Sequence, residues 1–141
     1  YYEFAQMKHS SRAASNYLAD VTADGQLRWR KKEVTFNIQS FLSDPNLNTY
    51  VFILKQAMHT WMQACDALPV FTEVKDPSNA DLRILIGNKQ TPAECWTTGV
   101  CAYDSEAGEL KRVFLKLTPV SLESWFSLCK HEIGHALGLN G

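Results

Sequence analysis

The sequence predicts an α/β fold of the α+β type, with one β-sheet and two helices. Several segments alternate between apolar and polar residues, which is the period of a half-buried strand, and two longer segments carry apolar residues at three- and four-residue intervals. These signals follow one another as strand, helix, three or four strands, helix. With 45% hydrophobic and 21% charged residues, the 141-residue chain has ordinary globular composition and is long enough to bury one core.

The first clear strand begins where an unpatterned N-terminal region ends. Val34, Phe36 and Ile38 alternate with polar residues. Residues 1–32 have no comparable period, although residues 5–18 could form a short helix. We therefore expect an N-terminal extension over 1–32 and a folded region over 33–141.

The first long helix is predicted over 48–65, after the turn-forming residues 43–46. Its apolar residues recur at helical spacing, so they share one face that should pack on the sheet. That face consists of Val51, Leu54, Met58, Trp61 and Cys65. His59 is on the other side and is predicted to be a surface residue, as is His9 in the unpatterned region.

The second half of the chain contains further strand signals over 70–74, 81–86 and 112–117, with a short edge strand over 99–103. A second helix is predicted to begin at Pro119, since proline suits the first helical position, and to continue to about Leu137, with Gly138 as its stop. Its predicted apolar face consists of Leu122, Phe126, Cys129, Ile133 and Ala136.

The charge balance argues against nucleic acid and acidic membranes as partners. Fourteen Lys and Arg residues against fifteen Asp and Glu residues leave a net charge of -1. The basic cluster around Trp29 is interpreted as a solvated loop. No apolar run approaches the roughly 18 residues that would span a bilayer. We expect a neutral partner such as a peptide, and we expect that both chain ends were cut by processing or cloning.

Four cysteines permit three complete disulfide pairings. Cys95 and Cys101 flank a five-residue loop that they could close, which leaves Cys65 and Cys129, each on a predicted helix, for each other. Two such bridges would imply an oxidising compartment and therefore secretion. Four free thiols in a cytosolic protein are the alternative.

The residues that suggest chemistry are His131, Glu132 and His135, which form an H-E-x-x-H motif. Histidines four residues apart lie one turn apart on one helix face, so both imidazoles can reach one metal ion. Zinc lowers the pKa of water at such a site to about 7, and Glu132 is positioned to take its proton as general base. The alternative is two exposed histidines on an amphipathic helix. Because the motif is followed by Gly138, where the helix should end, we favour the zinc interpretation.

The motif also carries a resemblance to a known family. Residues 131–138 read HEIGHALG, which matches the first eight positions of the metzincin signature H-E-x-x-H-x-x-G-x-x-H. Residues 34–38, 57–61, 70–74 and 80–84 are similar to matrixin catalytic-domain segments in matrixin order. The resemblance covers roughly residues 29–141, and the matrixins are the closest match among metzincins.

This resemblance implies a zincin-like upper catalytic subdomain, with a twisted mixed sheet, a backing helix and a C-terminal active-site helix. Its substrate, an extended peptide, would pair with an edge strand at about residues 97–103, and the strand residues expected to bind it are Gly99, Val100, Cys101 and Ala102. The chain departs from the pattern at Gly141, which stands where the family has a third histidine. We expect either a fragment without its lower subdomain or a zinc ion with two protein histidines.

Two functions from different classes follow. The first is a secreted zinc metalloendopeptidase acting on protein or peptide substrates. The second is a non-catalytic peptide-binding module that retains the protease fold. A purely structural zinc domain is disfavoured, because Glu132 would then have no role.

Overall fold

The computed structural model describes residues 8–9, 28–40, 44–87, 99–106 and 108–138, and within them the fold is mixed α/β, as predicted. The helices are α1, Leu47–Ala64, and α2, Leu122–Ala136. The strands are β1, Lys8–His9; β2, Glu33–Ser40; β3, Val70–Glu73; β4, Leu82–Ile86; β5, Gly99–Glu106; and β6, Glu109–Leu117.

The strands form one sheet in the order β1-β5-β6-β4-β2-β3. The pairs β2–β3, β2–β4 and β4–β6 are parallel, whereas β5 runs antiparallel to β6 and β1 antiparallel to β5. Between β5 and β6, Gly108 has a φ of 79°, in the left-handed region that favours glycine. In this order, the antiparallel pairs lie toward the β1 edge of the sheet and the parallel pairs toward the β3 edge.

The core lies between the sheet and the two helices, which also pack against each other. Alternate residues of β2, β4 and β6 are buried, as the period of two predicts for a strand with one face on a core. Among the largest fully buried side chains are Leu54, Met58, Leu82, Ile84, Leu115, Trp125 and Ile133. The two helices and the three central strands thus share one core.

The second helix begins later than the sequence predicts. It starts at Leu122 after the N-cap Ser121, not at Pro119, because the preceding backbone is non-helical and the Tyr50 hydroxyl donates a hydrogen bond to the Val120 carbonyl at 2.9 Å. Leu122 is therefore 41% exposed, and Trp125 takes its place in the core. The predicted end is confirmed.

The predicted bridge between Cys65 and Cys129 is wrong, since both are free cysteines in the structure. Helix α1 ends at Ala64, and Cys65 is its C-cap with extended backbone, φ -162° and ψ 131°. Cys65 therefore does not continue the helical face on which the pairing depended. Cys129 is fully buried in the core. The other predicted pairing involves Cys95, which lies outside the described residues.

Residues just before the predicted boundary at 32/33 pack with the rest of the fold. Arg28 exchanges backbone hydrogen bonds with Gly108 and Leu110, at 3.1 and 2.8 Å, and Trp29 is 4% exposed. Lys31 forms an ion pair with Asp81 at 2.6 Å, so one charge of the basic cluster is paired within the fold. In the described part of the chain, no helix has the length and hydrophobicity to cross a membrane.

Candidate metal centre

The last two turns of α2 bring together His131, Glu132 and His135, whose ligand atoms all lie within 4.8 Å of one another. The Nε2 atoms of the two histidines are 3.0 Å apart, and their rings meet edge to face with centroids 4.4 Å apart. This convergence follows from the spacing of four residues, which places both rings on one side of the helix. The group could therefore hold a metal ion.

The geometry of the two imidazoles fits a zinc ion. Two tetrahedral ligands, each about 2.0–2.1 Å from zinc, are separated by about 3.3 Å. The observed 3.0 Å between the Nε2 atoms is within a few tenths of an ångström of that value. Imidazole nitrogens beside a carboxylate are also a donor set that zinc favours.

Glu132 is the unusual member of the group. It is 5% exposed, and among the described residues nothing donates a hydrogen bond to its buried Oε1 atom. Burial penalises the carboxylate form and raises the pKa of Glu132 to about 7. A buried carboxylate oxygen without a donor is uncommon, and it fits a site that receives a cation or a proton from outside the chain.

The two histidines differ in exposure. His131 is exposed, whereas His135 is 6% exposed. An ion between them would have protein on the His135 side and an approach from the His131 side. Sites that act on a substrate need such an open position, while purely structural sites are closed by protein ligands.

Helix α2 is anchored at its N-terminal end by a hydrogen bond that the sequence pattern does not predict. The indole N–H of Trp125 donates to the Tyr50 carbonyl at 2.8 Å, and the two rings pack edge to face. Two more indoles contact the C-terminal half of the helix, namely Trp29 and Trp61. The available signal was the tryptophans themselves, since a buried indole N–H requires an acceptor. For Trp29 this signal was masked by the basic residues on either side of it.

Cys129 lies on the same helix but is unsuited to chemistry. Burial, with a smaller contribution from the negative charge of Glu132, raises the pKa of its thiol to about 12. The thiolate, which is the nucleophilic form, is therefore scarce at neutral pH. Cys129 is a core residue.

The residues expected to bind an extended peptide, Gly99 to Ala102, lie on β5, which packs against α2. Strand β5 is longer than predicted, and β1 lies outside it: Lys8 pairs with Tyr103 and His9 with Ala102. Among the described strands, none pairs with Gly99–Cys101 on that side. The structure thus brings the predicted peptide strand alongside the helix that carries the histidines.

A separate open groove of about 340 Å³ lies between α1 and the strands β2 and β3. Its lining includes Phe36, Met58, Met62 and Phe71, with the exposed His59 among its polar residues. None of the three motif residues lines this groove. His59 is a surface residue, as predicted.

Gly141, which stands where the metzincin signature has a third histidine, lies outside the described residues. No protein-family model matches the chain, and no curated protein matches it either. The group that could hold a metal ion is therefore identified from the geometry of α2 alone.

Proposed function

We propose that this chain carries the catalytic centre of a zinc-dependent metalloendopeptidase of the metzincin class, with a matrixin-like arrangement. One observation supports this most strongly. Two histidine Nε2 atoms converge to 3.0 Å beside a buried glutamate whose Oε1 atom accepts no hydrogen bond from the residues that the structure describes. Ligands and a potential base are thus assembled on one helix before any ion binds.

His131 and His135 would hold the ion through Nε2. When bound, zinc supplies Lewis acidity, which makes a water molecule acidic near neutral pH and polarises a peptide carbonyl. Glu132 accepts the proton of the attacking water at a carboxylate oxygen. The same carboxyl group then delivers that proton to the departing amine nitrogen, so that one residue serves as base and then as acid.

The peptide would lie along β5, extended and paired with its backbone. Pairing of this kind supplies main-chain hydrogen bonds whatever the side chains are. The pairing of Lys8 and His9 with β5 supports this placement, because it indicates that the outer side of the strand accepts an extended segment. The same observation favours the second candidate function, a peptide-binding module without catalysis, which differs only in leaving the bound peptide intact.

Metal-dependent hydrolysis separates the two functions. The full product of the reading frame is incubated with an unfolded protein such as reduced casein, after removal of metal by a chelator and after return of Zn²⁺. The protease proposal predicts cleavage that disappears with the chelator and returns with zinc. The matched variants are His135→Ala, which should be inactive, and His59→Ala, which should retain activity. Zinc binding without any cleavage would favour the peptide-binding module.

A further inference from the structure

We propose that Trp29 and Trp61 are positioning residues that clamp the metal-binding segment of α2 at its two ends. The indole N–H of Trp61 donates to the Lys130 carbonyl, and that of Trp29 donates to the Ala136 carbonyl. These two carbonyls bracket the two histidines in sequence. We define the indole clamp as Trp29, Trp61 and these two carbonyls. The inference rests on the metal site of the proposed function and adds residues that hold it in shape.

Trp61 defines the N-terminal side of the clamp. It comes from α1, is 9% exposed, and donates from Nε1 to the Lys130 carbonyl at 2.8 Å. The six-membered part of the same indole lies against Gly134, where an added Cβ would meet Cζ2 at 3.0 Å. Lys130 immediately precedes His131, and Gly134 immediately precedes His135. One indole thus contacts the backbone next to each histidine.

Trp29 defines the C-terminal side. It is 4% exposed, and its Nε1 donates to the Ala136 carbonyl at 2.9 Å. The last four carbonyls of a helix have no intrahelical donor, so the end of a helix frays unless other groups satisfy them. Gly138 satisfies the His135 carbonyl from its backbone N–H at 2.9 Å, and Trp29 satisfies the next one. The residue after His135 is therefore held from outside the helix.

Fixing this turn matters because the histidines converge only while the backbone between them is helical. A four-residue spacing places two rings on one side of an α-helix, and loosening the turn changes their relative rotation. An ion that binds only the ordered turn has an apparent affinity that falls with the fraction of ordered molecules. The clamp keeps that fraction high before the ion arrives.

Trp125 provides a matched control on the same helix. Its indole also donates to a backbone carbonyl, that of Tyr50, at 2.8 Å, and it is fully buried. It lies six residues before His131, in the first turn of α2. Changing Trp125 to Phe removes the same kind of hydrogen bond from the same helix without touching the metal-binding turn.

The test compares three variants of the chain, Trp29→Phe, Trp61→Phe and Trp125→Phe. Zn²⁺ affinity is measured by competition with a chromophoric chelator, ring geometry by the visible spectrum of bound Co²⁺, and unfolding by thermal denaturation. We expect Trp29→Phe and Trp61→Phe to weaken Zn²⁺ binding by about 5- to 30-fold and to shift the Co²⁺ bands. Trp125→Phe should lower the melting temperature yet change affinity by less than about twofold.

Equal affinity losses in all three variants would overturn the clamp, because a general loss of stability would then explain them. Unchanged affinity in both clamp variants would overturn it as well. If Trp61→Phe does not fold, Trp29→Phe carries the comparison with Trp125→Phe. Wild-type protein that binds no Zn²⁺ would overturn the proposed function and the clamp together, whereas binding abolished by His135→Ala but untouched by Trp29→Phe would overturn the clamp alone.

Discussion

The indole ring of Trp61 lies so close to the Cα of Gly134 that a Cβ at that position would meet Cζ2 at 3.0 Å. This contact explains a glycine inside a helix, where glycine is ordinarily destabilising. Glycine at 134 allows α1 and α2 to approach closely beside the two histidines. Its role is to provide space, not flexibility.

Gly134→Ala should therefore destabilise the protein, although alanine favours helices. Alanine gains about 1 kcal/mol in helix propensity, while overpacking typically costs about 1–3 kcal/mol. The ring cannot withdraw easily, since Nε1 is held by the Lys130 carbonyl. We expect a net loss of about 1 kcal/mol in the free energy of unfolding, measured with urea. In a Trp61→Phe background the smaller ring should remove most of this loss, and an equal loss in both backgrounds would contradict the contact.

Removing either histidine should remove the metal site. The Nε2 atoms of His131 and His135 are the two converging metal-donor atoms. Loss of a residue that only supports a metal ligand typically weakens metal binding by about 10- to 100-fold. Each single alanine variant should weaken Zn²⁺ binding by more than that. Metal content after dialysis measures this, with His59→Ala as control. Stoichiometric zinc in a folded double variant would show that the ion binds elsewhere.

Periodicity predicted most of the fold because most elements bury one face. The alternation of Val34 and Phe36 and the helical spacing of Leu54, Met58 and Trp61 all correspond to buried residues. The H-E-x-x-H spacing similarly predicted that the two histidines converge. These features depend on residues two to four positions apart in the sequence, and the periodicity of the sequence describes that spacing directly.

The features that were missed depend on contacts between distant residues. The start of α2 depends on the hydrogen bond from Tyr50 to Val120, seventy residues away. The partners of Trp29 and Trp61 are carbonyls on α2, 107 and 69 residues distant. Cys65 was misplaced because one residue beyond a helix end changes the direction of a side chain. Sequence periods carry no information on such pairings.

Glu132 should make the stability of the metal-free protein depend on pH. Its pKa in the folded protein, about 7, is above the ordinary value of 4.5, so folding favours the protonated form. The resulting stabilisation is fully present below pH 4.5 and is lost as pH rises through 7, by as much as about 3 kcal/mol. Urea unfolding in the presence of a chelator, compared with Glu132→Gln, isolates this dependence. Parallel pH profiles for the two proteins would contradict the buried carboxylate.

The free cysteines predict a specific pattern of thiol reactivity. Cys65 is partly exposed and should react with a thiol reagent in the native protein, whereas Cys129 should react only after unfolding. Because burial raises the pKa of the Cys129 thiol to about 12, this thiol is almost entirely protonated at pH 8. Peptide mapping without reductant, after labelling of the native and the unfolded protein, measures how far each of the two cysteines has reacted. A peptide joining Cys65 to Cys129 would contradict the structure and would restore an argument for secretion.

The most direct test of the proposed protease is hydrolysis of unfolded casein by wild type and Glu132→Gln at equal zinc occupancy, using the full product of the reading frame. Glutamine keeps the shape of the side chain but cannot accept a proton from water. A general-base role for Glu132 predicts that the variant retains zinc and fold while its hydrolysis rate falls by about 10² to 10⁴, the usual contribution of such a base. Cleavage by the glutamine variant at the wild-type rate would contradict the assignment of Glu132 and, with it, the proposed protease.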